Sequence, residues 1–218
     1  NTRRAKLADW RVREALILAF NFEFINQTVN RSRYPRAASY FSNTRFGMGT
    51  EAPSDAVQAL LAPFGDSLIP GALEPYALPI ASGGERNRDN VRAAIALFEE
   101  AGWTIQDGIM KDASGAPFTL EFAISTPDEE RLASLYTEAL KQLGIETIVQ
   151  TVDRAQLVER RDNYYYDVTT YTWGMSLSPG NEQRLYWGSA GFDTPATRNY
   201  AGVNSPAVDA MVDAMLAS

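Results

Sequence analysis

Two residue types are missing from this sequence of 218 residues, which contains neither cysteine nor histidine. Their absence excludes disulfide bonds, cysteine nucleophiles, structural zinc sites built from cysteine and histidine, and every catalytic triad that needs histidine. Most common hydrolase and oxidoreductase sites use at least one of these groups, so the composition favours a binding protein. The lack of cysteine leaves the compartment open, because a cysteine-free protein is stable in either redox environment.

Basic residues are also few, with 20 Lys and Arg against 27 Asp and Glu, for a net charge of −7. Nucleic acids and anionic membranes recruit basic patches, so we expect no nucleic-acid partner. No apolar run approaches the roughly 20 residues of a membrane span, and the basic residues 1–6 precede no signal-peptide core. The helical pattern in residues 208–218 has no C-cap, so we expect the chain to be a piece of a longer protein.

Helices are indicated by apolar residues at helical spacing behind capping residues. Asp9 and Asn21 are candidate N-caps, and Thr126 with Glu129 forms a capping box that has Pro127 at the first helical position. Apolar stripes follow each of these caps and recur in two later segments. The predicted helices lie in residues 10–20, 22–25, 91–101, 127–143 and 206–215.

Strands are expected between these helices. Residues 118–124 alternate apolar and polar side chains, which is typical of a half-buried strand. The turn residues 112–115 lead back to residues 109–111, so a hairpin is predicted. Further strands are expected at 145–149 and 168–172. The resulting order of strands and helices predicts an α/β fold with a mixed sheet flanked by helices.

Residues 31–90 form a segment of a different kind, punctuated by six prolines and several glycines. Because proline interrupts both helices and strands, we expect a long irregular segment with one short helix near residues 54–61. Long segments of this kind are usually functional or packed against a partner.

Seven segments, in order along the chain, resemble the extracellular solute-binding proteins of ABC importers, family 5, the peptide and nickel group. The resemblance is strongest to its oligopeptide-binding subgroup, through Ser178-Pro179-Gly180-Asn181-Glu182-Gln183 after Trp173. The matching segments are residues 9–16 (DWRVREAL), 19–26 (AFNFEFIN), 88–103 (ending in EEAGW), 111–115 (KDASG), 142–145 (QLGI), 166–173 (YDVTTYTW) and 199–209 (NYAGVNSPAVD).

The resemblance implies one lobe of a two-lobed periplasmic binding protein of type II. Residues 1–218 would be most of the second lobe, and the first lobe would lie outside this chain. The implied function is to capture oligopeptides between the lobes and deliver them to an ABC permease, in the periplasm or attached to the outer face of the membrane. We expect no cofactor, and no metal site because cysteine and histidine are absent.

The resemblance also places residues 167–181 at the wall of the ligand cleft. Arg161 matches an arginine that some relatives use against ligand carboxylates, a role that suits its planar guanidinium. The alternative is that Arg161 pairs with Asp162 or Glu159 on the helix surface. Oligopeptide-binding relatives often have an aspartate at the position of Ser176, where it holds the α-amino group of the peptide. Ser176 therefore predicts a different amino-terminal anchor, for which Glu182 is a candidate, or a ligand that presents its N-terminus elsewhere.

Aromatic residues are dense around the same wall. Alternation along the strand would place Tyr171 and Trp173 on one face, either lining the cleft or packing on helices. Gly174 favours the cleft for Trp173, because glycine lets a ligand approach the backbone closely. Asn181 and Glu182 open a predicted helix whose N-terminal amides would favour a ligand carboxylate. Glu182 is equally consistent with an ordinary acid in the first turn of a helix.

Two other function classes compete with peptide binding. The same scaffold with stacked aromatic residues would suit a carbohydrate receptor. A glycosidase would need two carboxyl groups, such as those of Glu182 and Asp193, but no motif places them together and the sequence predicts no catalytic residue. A nickel receptor is disfavoured because histidine, a favoured nickel ligand, is absent.

Overall fold

The computed structural model describes residues 1–39, 41, 42, 44, 46–174, 176 and 178–217. It confirms the predicted α/β class, with helices before, between and after the strands. The helices are α1 (Trp10–Ala19), α2 (Phe22–Thr28), α3 (Asp55–Leu61), α4 (Arg88–Glu100), α5 (Pro127–Lys141), α6 (Arg154–Asp162), α7 (Glu182–Trp187) and α8 (Pro206–Ala217). The strands are β1 (Thr104–Gln106), β2 (Ile109–Lys111), β3 (Thr119–Ile124), β4 (Glu146–Thr151) and β5 (Val168–Thr169).

Parallel and antiparallel strands are both present, but they lie in two separate sheets. β3 is the central strand of a parallel sheet with the order β4-β3-β5, whereas β1 and β2 form an antiparallel hairpin. Asp107 and Gly108 connect this hairpin with φ angles of 53° and 79°, as a two-residue primed turn requires. The predicted hairpin between β2 and β3 is reduced to one bridge between Lys111 and Pro117, because proline has no amide hydrogen for a longer ladder.

The two faces of β3 are covered by different helices. Its side chains at Leu120, Phe122 and Ile124 join the main core, to which α5 contributes Ala133 and Leu140, along with residues of α1 and α4. Ala123 points the other way and packs with Leu157 of α6 and with Tyr166. α5 and α6 therefore lie on opposite faces of the parallel sheet.

This arrangement creates a topological switch point between β3 and β5. The chain leaves β3, forms β4 on one side through α5, and then returns through α6 to form β5 on the other side. Ligands of open α/β sheets bind in the crevice at the carboxyl ends of the strands at such a point. In this sheet the crevice lies beside the residues that follow Ile124 and Thr169.

Local capping interactions explain where the helices begin. The carboxylate of Asp9 accepts a hydrogen bond from the Arg11 amide at 2.9 Å. The predicted capping box is complete, with Thr126 Oγ1 accepting from the Glu129 amide and the Glu129 carboxylate accepting from the Thr126 amide. These caps satisfy amides that would otherwise have no partner in the first turn.

The segment before α1 is held against the sheet by Asp167, which is buried just before β5. Its Oδ2 atom lies 2.6 Å from Lys6 Nζ and accepts a bond from the Glu121 amide at 2.9 Å. Arg4 Nε lies 3.4 Å from its Oδ1 atom. One carboxylate therefore connects the first residues, the central strand and the edge strand.

Within the segment of residues 31–90, α3 is the short helix that the sequence predicts near residues 54–61. A 3₁₀ helix, Ala62–Ser67, follows it directly, and α4 begins at Arg88. Tyr40, Asn43 and Arg45 of this segment lie outside the described residues. Several large apolar side chains in this segment are exposed, among them Ile69, Tyr76 and Ile80.

Nowhere in the described ranges is a helix long and apolar enough to cross a bilayer.

β4 is an edge strand, and much of its surface is open. Ile148 and Val149 are 48% and 37% exposed, and β4 pairs with β3 along one side only within the described sheet.

Candidate ligand-binding site

Two neighbouring concavities lie at the switch point. The larger, here called the arginine pocket, has a volume of about 680 Å³ and is lined by Ser125, Arg154, Arg161, Tyr171 and Arg198, among others. Its residues follow the carboxyl ends of all three parallel strands or lie on the loop before α8. The fold thus brings three distant segments together where ligand binding is expected.

The second concavity, the aromatic pocket, has a volume of about 400 Å³. Trp173 and Trp187 line it, and it shares Tyr171 and Tyr200 with the arginine pocket. The Tyr171 and Trp173 rings lie 4.7 Å apart, on the same side of the chain as alternation predicts. The Tyr171 and Tyr200 rings also lie 4.7 Å apart. This tyrosine pair forms the boundary between the two pockets.

Arg161 is fixed at this boundary by contacts to the end of β5. Its Nε donates to Thr169 Oγ1 at 3.3 Å, its Nη2 donates to the Thr170 carbonyl, and its guanidinium lies 5.4 Å from the centre of the Tyr171 ring. The alternative pairing with Asp162 or Glu159 is not among the ion pairs of the described residues, in which Arg160 contacts Glu121 at 2.9 Å. Arg161 therefore faces the pocket.

The same contacts explain why β5 is shorter than predicted. The Thr170 carbonyl accepts from Arg161 and the Thr170 hydroxyl donates to Glu129, so residue 170 leaves the ladder. Partial burial raises the pKa of Glu129, but the bonds from Thr170 and from the Ser125 and Thr126 amides outweigh it and lower this pKa below its usual value. Glu129 is thus an ionised carboxylate on the wall of the arginine pocket, and it accepts hydrogen bonds from Ser125, Thr126 and Thr170.

Buried polar side chains hold the loop before α8. The Tyr166 hydroxyl donates to the Tyr200 carbonyl at 2.8 Å, and the Tyr164 hydroxyl donates to the Thr194 carbonyl at 2.7 Å. Asn199 is fully buried, donates to the Val203 carbonyl at 2.8 Å, and accepts from the Val203 amide at 2.8 Å. The loop backbone is therefore fixed while its outer side chains face the pockets.

The structure brings three of the seven predicted ligand residues together, Arg161, Tyr171 and Trp173. The other four, Gly174, Ser176, Asn181 and Glu182, lie farther along the chain and line neither pocket. Gly174 and Ser176 are exposed, and a Cβ atom added at Gly174 would meet no atom within 4 Å. Met175 and Leu177, inside the predicted cleft wall, lie outside the described residues.

Asn181 precedes α7 without a side-chain cap bond, while Glu182 serves the start of this helix. Glu182 Oε1 accepts from the Gly180 amide at 2.8 Å and from Gln183 Nε2 at 3.2 Å. Hydrogen bonding from the Gly180 amide leads the causes that lower the pKa of Glu182. This geometry matches the first-turn interpretation, because the carboxylate already occupies the position at which the helix amides would receive an anion.

Sequence reasoning missed Arg154, Arg198 and Tyr200. The signal that could have found them was the alternating order of strands and helices, which implies a switch point and therefore a crevice after each strand. Local spacing gave no indication of residues 196–200, because only the tertiary fold places this loop beside α6.

An α/β fold with a polar and aromatic crevice at this edge is typical of ligand-binding lobes. Comparison with known families agrees: residues 1–194 match the profile described as bacterial extracellular solute-binding proteins, family 5 Middle. The chain belongs to this family, as its sequence motifs predicted.

The chain is 40% identical over 225 residues to a protein of Brucella melitensis biotype 1 named only putative binding protein, covering 100% of this chain and 36% of the relative. Two less similar relatives have names that concern peptides and peptidoglycan. The chain is 35% identical over 214 residues to a protein of Agrobacterium fabrum named probable peptide-binding protein YejA, covering 97% of this chain and 35% of the relative. It is 34% identical over 217 residues to the peptidoglycan-binding protein YepA of the same organism, covering 99% of this chain and 35% of the relative. The chain thus spans about a third of the length of the curated relatives it matches.

Solved structures share the fold at lower identity. The oligopeptide-binding protein AppA from Bacillus subtilis, in complex with a nonapeptide, matches with a TM-score of 0.70 and 21% identity, over 100% of this chain and 38% of AppA. A periplasmic oligopeptide-binding protein from Thermotoga maritima with bound mannohexaose matches with a TM-score of 0.69 and 14% identity, over 98% and 36% of the two chains. At these identities the likeness concerns the fold alone.

Proposed function

We propose that this chain is the second ligand-binding lobe of an ABC importer's substrate-binding component, which captures oligopeptides between two lobes and delivers them to a membrane permease. The observation that carries the proposal is the tyrosine pair, Tyr171 and Tyr200, which joins an arginine-lined pocket to an aromatic one at the switch point. A peptide has both kinds of group, because it carries a carboxylate and apolar side chains. The name of the relative YejA supports this ligand class.

Each pocket suits a different part of a peptide. Arg161 has a guanidinium oriented by Thr169 and Thr170, so one edge remains available to a ligand carboxylate in a planar, two-bond contact. Trp173 is partly exposed beside Tyr171 and Tyr200, and it offers an apolar surface to a peptide side chain. Gly174 and Ser176 follow Trp173 and are exposed, so a peptide that extends beyond the aromatic pocket would contact them.

A two-lobed receptor would close around its ligand and then meet its permease. The first lobe would close over these pockets by hinge motion, and the closed form would be the one that the permease recognises. Such a receptor works in the periplasm or at the outer face of the membrane, needs neither a cofactor nor nucleic acid, and catalyses no reaction. Glu182 and Asp193, the two acids that a glycosidase would need, line neither pocket.

The test is isothermal titration calorimetry with the complete gene product that contains this chain, using pools of synthetic tetrapeptides. We expect micromolar or tighter binding by the complete protein and much weaker binding by residues 1–218 alone, because half of the contacts would be missing. Arg161→Gln should weaken binding of peptides with a free C-terminus more than binding of their C-terminal amides. Tight binding by residues 1–218 alone would refute the shared site, and no binding by the complete protein would refute the peptide ligand.

A carbohydrate ligand is the second candidate, favoured by one observation. The rings of Trp173 and Tyr200 lie 5.8 Å apart with 29° between their planes, and sugar rings stack on partly exposed aromatic clusters of this kind. The name of the relative YepA and the mannohexaose-bound neighbour support this alternative. Thermal-shift screening of the complete gene product with oligosaccharide and peptide sets separates the two, because only the true ligand class raises the melting temperature by mass action.

A further inference from the structure

We propose that the arginine pocket recognises an acidic side chain of the bound peptide through Arg154 and Arg198, in addition to the carboxylate contact of Arg161. This inference rests on the proposed function, since it concerns which peptides the receptor prefers. It identifies two specificity-determining residues and a substrate class, peptides that carry glutamate or aspartate.

The first support is that the three guanidinium groups in the pocket differ in their hydrogen-bond and ion-pair partners. Arg161 is engaged by the end of β5. Arg154 and Arg198 are exposed, and within the described ranges neither guanidinium group forms an ion pair or a hydrogen bond. Two cations without partners on one wall leave their donors available to a ligand. This is a local exception in a chain of net charge −7.

The acidic residues of the same wall do not neutralise these cations. Glu129 accepts hydrogen bonds from Ser125, Thr126 and Thr170, so its acceptor sites are largely taken. Asp162 is the other acid of the pocket, and no ion pair joins it to an arginine among the described residues. Three arginines thus face two acids, and the pocket retains an excess of positive charge.

The second support is the rigid backbone that carries Arg198. Ala196 and Arg198 both have left-handed backbone conformations, with φ angles of 62° and 64°, which cost energy for residues other than glycine. The Ala196 amide donates to the Asp162 carbonyl at 2.9 Å, and the neighbouring Asn199 is fully buried and hydrogen bonded. The fold therefore holds Arg198 next to α6, on which Arg154 lies, and such pre-organisation lowers the entropic cost of binding.

The chemistry of the wall favours a carboxylate as the bound group. Guanidinium donors form a planar fork that matches the two oxygens of a carboxylate. The Tyr171 and Tyr200 rings line one side of the pocket and can pack against the apolar carbons of an acidic side chain.

The experiment is a competition assay on the complete gene product. The probes are tetrapeptide pools of alanine with one Glu at each position in turn, the matched Gln pools, and both pools with free or amidated C-termini. Bound peptides are quantified by mass spectrometry for the wild type, for Arg154→Gln, for Arg198→Gln and for the double variant. Arg88→Gln is the control, because Arg88 is an exposed arginine of α4 that lines neither pocket.

We expect the wild type and the Arg88→Gln control to prefer Glu pools over Gln pools by about tenfold or more, the effect of a single charge-assisted contact. The double variant should lose this preference, so that it binds the Glu and Gln pools equally. The preference should persist with amidated C-termini, which separates side-chain recognition from recognition of the C-terminal carboxylate.

Two results would overturn the inference while leaving the proposed function intact. One is equal binding of Glu and Gln pools by the wild type, and the other is an unchanged preference in the double variant. A preference that disappears on amidation would assign the pocket to the C-terminus instead, and would also overturn it. If no pool binds at all, the proposed function fails and the inference fails with it. If the double variant does not fold, the ratio of Glu-pool to Gln-pool binding in the two single variants decides the question.

Discussion

The indole ring of Trp173 lies nearly parallel to the ring of Tyr200, with 29° between the planes and 5.8 Å between the centroids. The backbone carbonyl of Tyr200 accepts a hydrogen bond at 2.8 Å from Tyr166, which is almost fully buried beneath α6. The position of the aromatic wall thus depends on a tyrosine of the second core cluster. This hydrogen bond ties the loop that carries Tyr200 to the core cluster of Ala123, Leu157 and Tyr166.

Truncation of this wall should weaken ligand binding more than it weakens the fold. Trp173→Ala in the complete gene product should lower peptide affinity by about thirtyfold, the loss of roughly 2 kcal/mol that a buried aromatic anchor supplies at an interface. Titration calorimetry measures it, with Tyr165→Ala as the matched control because Tyr165 is 62% exposed. Wild-type affinity in a folded Trp173→Ala protein would show that the indole only packs against its neighbours.

The capping box should make stability depend on pH in a defined direction. The pKa of Glu129 is lowered in the folded protein, whereas in an unfolded chain it is about 4.3. The ionised carboxylate therefore stabilises the fold above about pH 4.3, and this contribution is lost as the pH falls through the folded pKa. The difference in unfolding free energy between wild type and Glu129→Gln, from urea titrations at pH 7 and pH 3, should shrink toward pH 3. A difference that stays constant over this range would contradict the assignment.

Asp167 should be far more important for stability than an exposed acid. Asp167→Asn leaves Lys6 and Arg4 beside a neutral group and should lower the free energy of unfolding by about 2 kcal/mol. The control is Asp89→Asn, since the ion pair of Asp89 with Arg92 has both side chains at least 75% exposed, and its loss should cost no more than about 0.5 kcal/mol. Equal effects of the two substitutions in urea unfolding would refute the role given to Asp167.

Two glycines with similar backbone angles should differ in their response to alanine. Gly144 and Gly102 have φ angles of 70° and 88°. Alanine at either position would therefore destabilise the fold by about 1 kcal/mol, the cost of the left-handed conformation for a residue with a Cβ atom. A Cβ atom at Gly144 would lie 2.7 Å from the Gly108 carbonyl oxygen, whereas one at Gly102 would meet no atom within 4 Å. Gly144→Ala should therefore be the more destabilising by about 1 kcal/mol or more, measured by thermal unfolding. Equal melting temperatures would show that the β1–β2 hairpin moves aside.

Local features of the fold were predictable from the sequence because they depend on residues close in the chain. The caps at Asp9 and Asn21 and the capping box at Thr126 were predicted and are present. The β1–β2 hairpin is not predicted, although Asp107-Gly108 is a strong turn signal. The turn residues 112–115 predict a hairpin between β2 and β3 instead. Pro117 limits the pairing at that second turn to one bridge.

The site was predictable only in part, because it is assembled from segments distant in sequence. Arg161, Tyr171 and Trp173 are predicted by the resemblance to the family and by strand alternation, and all three line the pockets. Arg198 reaches the pocket because Tyr164 and Tyr166 fix its loop against the sheet. No local pattern encodes that contact, and the same is true of the position of β5 beside β3 rather than beside β4.

The open edge of β4 has a practical consequence for handling the chain. An edge strand with unpaired amides and carbonyls, and with Ile148 and Val149 exposed beside them, is a template for strand addition. When residues 1–218 are produced alone at high concentration, this edge is where copies would pair and aggregate. Ile148→Lys, at a position where the side chain is 48% exposed, is the substitution that would oppose such pairing, because charged side chains on edge strands block strand addition.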